Sequence, residues 1–165
     1  MKRLLLFVFL LLPCFALAEG FTLTAAVTAE ESALLSLPVD DAEVIAPLGQ
    51  GDGLTITALG SSHCEAVSGE KRGYVALQDI SFDILKGEPT VLGEVDVSPT
   101  NIMFGRITLR EEASTKSRSL CRMEKGRLVL ILGEENGMYH LAMPGHIGYG
   151  LKKFVSSVVE MMPYT

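Results

Sequence analysis

Residues along this chain echo one another at a single offset of seventy-five: Leu34 with Leu109, Ile45 with Leu120, Leu48 with Met123, Gly51 with Gly126, and the pair Gly73, Tyr74 with Gly148, Tyr149. Self-similarity at a fixed period constrains architecture before any motif is read, because each copy must be one structural unit. A chain of 165 residues then holds two copies of a small unit. A domain of sixty residues buries only about 60% of its unfolded surface, so two such copies gain by packing on each other.

Strand signals fill both copies. Apolar and polar residues alternate through Leu54, Ile56, Ala58, through Ile107, Leu109, through Leu128, Leu130, Leu132 and through Tyr139, Leu141, Met143, the period of half-buried strands. Turn residues separate these bursts: Gly49, Gly51, Asp52, Gly53 and Glu124, Lys125, Gly126 before the central strands, then Glu134, Glu135, Asn136, Gly137 and Pro144, Gly145 after them. Gly126 and Gly137 are expected at turn positions. With sixteen glycines, seven prolines and no sustained helical period, the chain is all-β. The first unit is expected over residues 19–88 and the second over 89–165. Thr90 to Val97 is either a linker or a strand bracing both, and Ser98, Pro99, Thr100, Asn101 lead into the second copy.

Residues 1–18 have another character. Lys2 and Arg3 precede an apolar run from Leu4 to Leu12, then Pro13 and the small-residue pattern Ala16, Leu17, Ala18, which is the pattern of a secretory signal peptide. The run is short for a bilayer span, and no transmembrane segment is expected. Pro13 stands where a lipid-attachment motif on Cys14 needs a small residue. The fourteen basic residues less Lys2 and Arg3 leave twelve against twenty acidic ones, a net charge of −8. From Glu19 to Val95 the balance is three basic to thirteen acidic residues; from Asp96 to Thr165 it is nine to seven. An acidic lobe thus precedes a mildly basic one, and no basic stripe exists for nucleic acid. Export leaves Cys64 and Cys121, which form a disulfide or remain two free thiols.

The second copy carries a resemblance. Ile107-Thr-Leu-Arg110, a polar loop through Ser114, Lys116 and Ser119, Met123-Glu-Lys-Gly126, Leu128-Val-Leu-Ile-Leu132, Asn136-Gly-Met-Tyr139-His-Leu141 and Gly148-Tyr-Gly-Leu-Lys-Lys-Phe-Val155 together resemble the bacterial Src-homology-3 domain. The first copy is divergent, with Cys64 at the place of Tyr139 and Leu35 at that of Arg110. The resemblance implies two small Src-homology-3-like barrels in tandem, of five or six strands each. It also implies a module that binds peptidoglycan or serves as a spacer or docking unit. A position often held by tryptophan in the family is Met138, and the chain has no tryptophan, which weakens aromatic stacking on a sugar or peptide. Tyr139, Tyr149, Arg110 and Lys152 are the candidate binding residues; the tyrosines otherwise serve the barrel rim.

Catalytic and metal chemistry finds little support. His63, His140 and His146 show no zinc-ligand spacing. His63 and Cys64 are neighbours on a strand and face opposite sides, which is unsuited to a nucleophile and its base. Glu30-Glu31, Asp40-Asp41, Glu111-Glu112 and Glu134-Glu135 fall in expected loops as solvated charge. The sequence therefore points to a secreted or periplasmic module with no catalytic residues, metal or cofactor. Its expected partner is peptidoglycan or another exported protein.

Overall fold

The computed structural model describes residues 20–97 and 105–161; the expected export signal and the Ser98 to Asn101 approach lie outside them. Within that range the alternating segments are strands. The first copy runs β1 (Thr24–Val27), β2 (Glu31–Leu35), β3 (Val44–Gly49), β4 (Gly53–Ala58), β5 (His63–Ser68), β6 (Lys71–Ala76), a 3-10 turn at Leu77–Asp79, and β7 (Ile80–Phe82). A second short 3-10 turn, Asp83–Leu85, leads out. The second copy runs β8 (Thr90–Val95), β9 (Arg106–Arg110), β10 (Ser119–Glu124), β11 (Leu128–Glu135), β12 (Met138–Met143), β13 (His146–Leu151), a 3-10 turn at Lys152–Phe154, and β14 (Val155–Met161). These make two separate antiparallel sheets, ordered β3-β2-β6-β5-β4-β1-β7 and β10-β9-β13-β12-β11-β8-β14. The fold is two small all-β domains. Among the described residues no helix is long and apolar enough to cross a membrane.

Each sheet has seven strands, against the five or six that the resemblance implies. The difference arises because the chain re-enters the sheet after each 3-10 turn: β7 pairs with β1 and β14 with β8. A flat sheet of seven strands would be about 29 Å wide at ~4.8 Å per strand. Yet inward residues of all the first copy's strands, from Ala46 and Leu48 on β3 to Ile80 and Phe82 on β7, meet in one buried cluster. The sheet therefore curls around its own core. Bulges supply the bend, and they recur at the repeat offset. Ile45 and Leu120 are the unpaired extra residues between β2 and β3 and between β9 and β10; Thr57 and Leu132 hold the same position on β4 and β11.

The equivalence extends to single contacts. Tyr74 lies opposite Leu35 and Glu65, and Tyr149 opposite Arg110 and His140. A methyl group added at Gly73 would lie 2.5 Å from the Leu35 carbonyl oxygen and 3.0 Å from Ile45 Cδ1; one added at Gly148 would lie 2.4 Å from the Arg110 oxygen and 2.9 Å from Leu120 Cδ1. Glycine at both places lets β2 and β9, with the bulged leucine or isoleucine, close onto the next strand. The offset fails only before β2 and β9. Three residues (28–30) join β1 to β2, whereas ten (96–105) join β8 to β9, so β8 corresponds to β1 at an offset of sixty-eight. Thr90 to Val95, for which sequence leaves a linker or a bracing strand open, is a strand of the second sheet.

The two lobes are fused through an apolar face of the second sheet. Ile147, Ala142, Leu130, Leu92 and Val159 stand opposite one another in a row across five strands. All five join the first lobe's core cluster, beside Phe21, Leu59 and Ile84, while Val129, Leu141 and Ile107 fill the second lobe's own core. Leu130 and Leu132 thus face the other lobe. The alternation of Leu128, Leu130, Leu132 is correct in period and points to the neighbouring core, because β11 is covered on both faces. Ala58 is exposed, against its expected place in line with Leu54 and Ile56, because the Thr57 bulge reverses the phase. A backbone pair between Phe21 and Gly145, at 3.2 and 2.9 Å, adds a polar seam between the lobes.

Two outcomes are expected on thermal unfolding. Gly148→Ala lowers stability by about 2 kcal/mol or more, since overpacking against backbone cannot be relieved by a rotamer change. Leu92→Ala costs about 2–4 kcal/mol, and probes placed in either lobe report one shared, lowered transition. Lobe-specific transitions in the parent protein would contradict the fusion.

Candidate functional site

Curling leaves a concave surface at the same place on each lobe, bounded by β2 or β9, the loop that follows it, and the 3-10 turn. In the first lobe a groove of about 410 Å³ is lined by Glu31, Ser32, Ala33, Leu35, Asp40, Val44, His63, Ala76, Gln78 and Asp79. In the second, one of about 210 Å³ is lined by Arg106, Ile107, Thr108, Arg110, Thr115, Leu151 and Phe154. Every residue of the second groove has its counterpart seventy-five positions earlier in the first. The geometry repeats and the chemistry does not: Glu31, Leu35 and Asp40 in one stand where Arg106, Arg110 and Thr115 stand in the other.

The first groove is acidic. Asp79 Oδ2 accepts from Ser32 Oγ at 2.7 Å, and the Asp79 backbone oxygen accepts from Thr28 and Ala29, which fixes the groove floor. No lysine or arginine lines it. His63 is buried, with Nδ1 3.2 Å from Ser62 Oγ and Nε2 3.1 Å from Asp40 Oδ1. That last contact lacks hydrogen-bond alignment, so Nε2 has no hydrogen-bond partner. Beside the groove, Leu37, Val39, Val44 and Ile45 are exposed hydrophobic residues.

The second groove is basic. Arg110 Nη1 donates to the Ser117 backbone oxygen at 2.7 Å, bracing the loop, and Arg106 pairs with Glu124 at 2.8 Å on the surface. The four sequence candidates divide between two faces of the sheet. Arg110 and Tyr149 are directly opposite, and Tyr149 stacks on His140 with centroids 4.7 Å apart and planes 17° from parallel. Tyr139 lies on the other face, against the second core, with Lys152 Nζ 5.4 Å from its ring and 2.5 Å from Glu134 Oε2. Tyr139 and Tyr149 therefore do not share one groove. Of the four candidates, Arg110 alone lines the second groove. Tyr149 is half-buried, with its OH 3.4 Å from Glu135, and the loss of solvent and the carboxylate together raise its pKa. Partial burial lowers that of His140.

The remaining second-lobe cations lie outside the second groove. Arg118 pairs with Glu111, and Lys125 approaches Asp96 at 3.8 Å. Arg122, Lys125, Arg127 and His146 line a separate cleft of about 460 Å³. Gly126 and Gly137 hold φ of 81° and 74°, and Asn136 φ of 52°. Asn136-Gly137 is thus a two-residue turn with both φ positive, the type that matches strand twist. Glu31, Glu134 and Glu135 end strands, where sequence places them in loops. Among the described residues no group of three or more His, Cys, Asp or Glu is placed to hold a metal ion.

Sequence reading passes over Asp79, takes Glu31 as solvated loop charge, counts Arg106 only among the second lobe's nine basic residues, and weighs His63 only as a metal ligand and as a neighbour of Cys64. The signal was present in the repeat, since Glu31 and Arg106 are a charge reversal at the same offset. Cys64 and Cys121 are free thiols. Cys64 is wholly enclosed in the first core, and burial pushes its thiol up to about 11; burial also raises that of Cys121, opposed by Arg127.

No protein-family model matches this chain, and no curated protein does. Among solved structures it is similar to NlpC2 from Trichomonas vaginalis, at 13% identity and a TM-score of 0.35, over 83% of this chain and 48% of that one. It is also similar to NlpC1 from Trichomonas vaginalis, at 13% and 0.36, over 84% and 46%. A third is an NlpC/P60 family protein from Bacillus cereus ATCC 10987, at 12% and 0.31, over 82% and 56%. The chain spans about half the length of these structures.

Two measurements check the site chemistry. In the folded protein a thiol reagent is expected to label Cys121 at a rate at least ten-fold above Cys64, with two thiols per mature chain released on denaturation; a single disulfide would give none. A depressed His140 pKa means that the unfolded chain binds the proton more readily, so stability is lost as pH falls through the ordinary histidine range of about 6.5. The decline in melting temperature between about pH 7 and 5.5 is expected to be shallower in His140→Phe.

Proposed function

We propose that the mature chain is an exported, non-catalytic binding or docking module of the bacterial cell envelope, built as two Src-homology-3-like barrels and contacting peptidoglycan or a wall-associated partner. The observation that carries this reading is the groove that recurs at the same place on both lobes. A surface formed twice by the same elements, with different side chains, suits recognition by shape and charge. Burial of Cys64, with its thiol held in the neutral form, supports a non-catalytic role, since a cysteine nucleophile needs an accessible thiolate. The run from Lys2 to Ala18 supports export.

A second reading, an interaction module for another exported protein, draws on Leu37, Val39, Val44 and Ile45. Exposed apolar residues grouped beside a groove are the usual mark of a protein partner. Retention of the purified mature chain on isolated peptidoglycan sacculi separates the two. Wall binding through the basic groove is expected to fall several-fold as salt shortens the screening length from about 8 Å to about 3 Å. The doubly substituted Arg106→Gln, Arg110→Gln protein is expected to show the same loss at low salt. A folded protein with no retention at any salt would remove the wall and leave the protein partner.

A further inference from the structure

We propose that the outer edge of β10 is a docking site for an acidic, extended segment of a partner protein, which joins the second sheet as a further strand and lays its carboxylates against Arg122 and Arg127. The inference stands apart from the groove reading above, because the cleft along this edge shares no residue with either groove.

Backbone phase is the first observation. β10 ends its sheet and pairs on one side only, with β9. The bond from Lys125 N to Gly105 O, at 3.0 Å, sets the phase of that pairing. Bonded and non-bonded pairs alternate along an antiparallel ladder, so Met123 and Ile107 bond each other, while Arg122 opposite Thr108 and Glu124 opposite Arg106 turn their backbone groups outward. The Glu124 oxygen is taken by Arg127 N. Among the described residues this leaves the Arg122 N–H, the Arg122 carbonyl and the Glu124 N–H facing away from the sheet with no backbone partner, the template for another strand. The first lobe closes the same edge. There Ser36 N bonds Glu43 O and sets the same phase on β3, and the outward position opposite Ala33 is Pro47, which has no N–H to offer. Pro47 stands seventy-five residues before Arg122.

Charge names the occupant. The edge borders a cleft of about 460 Å³ that holds Arg122, Lys125, Arg127 and His146 together with Met123 and Met143. The cleft's one carboxylate, Glu124, is paired with Arg106 at 2.8 Å, and Lys125 reaches Asp96 at 3.8 Å. Among the described residues Arg122 and Arg127 pair with no acid. The first lobe has Pro47, Gln50 and Asp52 where Arg122, Lys125 and Arg127 stand, so the cations belong to the open edge alone. Alternate residues of a strand face opposite sides, and on β10 exposed Arg122 and Glu124 flank buried Met123. An added strand therefore meets Arg122 with one set of alternate residues and the methionine side with the other, which suits alternating acidic and apolar residues. The same cations oppose pairing of two β10 edges from two copies, since like charges set opposite one another are unfavourable.

The test is titration of the full mature chain with acetyl-Glu-Val-Glu-Val-Glu-Val-amide, read by backbone amide NMR shifts and amide hydrogen exchange. Saturable shifts are expected along β10 and the turn at 124–127, with slower exchange of the Arg122 amide and slower labelling of Cys121 by a thiol reagent. Residues directly opposite in an antiparallel pair share a face, so N-methylation of the glutamates removes the facing donors, keeps the charge and should abolish binding. N-methylation of the valines should not. Arg122→Gln is expected to weaken binding several-fold. Arg122→Pro gives this edge the first lobe's own residue at a position whose N–H bonds nothing in the sheet, and should weaken it by about ten-fold or more with folding intact. Arg110→Gln, in the groove, should leave it unchanged. No saturable shift, equal binding of acetyl-Lys-Val-Lys-Val-Lys-Val-amide or of the glutamate-methylated peptide, or shifts confined to the first lobe would overturn the proposal. Shifts at β10 that follow protein concentration without peptide would assign the edge to a second copy of the chain and overturn it likewise. Sacculus retention keeps this site apart from the groove: it is expected to survive Arg122→Pro, and its failure in the parent protein would leave the β10 site standing.

Discussion

The row Ile147, Ala142, Leu130, Leu92, Val159 is what turns two marginal units into one body. Lobes of this size have too little interior to be robust alone, and this face adds a second buried surface at no cost in chain length. Its asymmetry explains why the contact forms once. The same positions on the first sheet are Arg72, Val67, Thr55 and Thr24, whose outer face is polar, so the second lobe's sheet seats on the first lobe and not the reverse. Burial of Leu92, Leu130 and Ala142 to completion comes from this contact alone, because the pleat turns them away from their own core.

The fold was legible in the sequence where side-chain periodicity and turn chemistry act locally. Asn136-Gly137 can hardly be anything but a tight hairpin turn, and the offset from Leu34 to Leu109 or Gly73 to Gly148 survives because each pair occupies a position that a larger residue could not fill. What stayed hidden depends on contacts made at a distance. Leu130 reads as a core residue of its own lobe, because alternation gives a period and not a direction. Ala58 reads as inward until a bulge one residue earlier shifts the phase. β8 is ambiguous for a different reason: the longer connection to β9 breaks the offset exactly where the first strand should match.

The candidate site was less legible than the fold. Tyrosines draw attention because they bind ligands in many grooves, but adjacent paired strands place Tyr139 and Tyr149 on opposite sides of the sheet. The residues that do share a concave surface are scattered across β2, a loop, β5 and a 3-10 turn, and only tertiary curling brings Glu31, Asp40, His63 and Asp79 together. Arg110 alone was picked out in advance, since it marks the strand whose partner position in the first copy had become Leu35.

Retained geometry with reversed charge has a further physical consequence. Because the lobes share one apolar cluster, the acidic and basic grooves are held at a fixed span and orientation, unlike modules on a flexible tether. A ligand that presents opposite charges at that span engages both grooves with the second contact effectively intramolecular, whereas one that does not gains from a single groove only. Selectivity in such a module resides in the interlobe packing as much as in the groove side chains: loosening Leu92 or Leu130 would leave each groove's chemistry intact and change which ligands can bridge them.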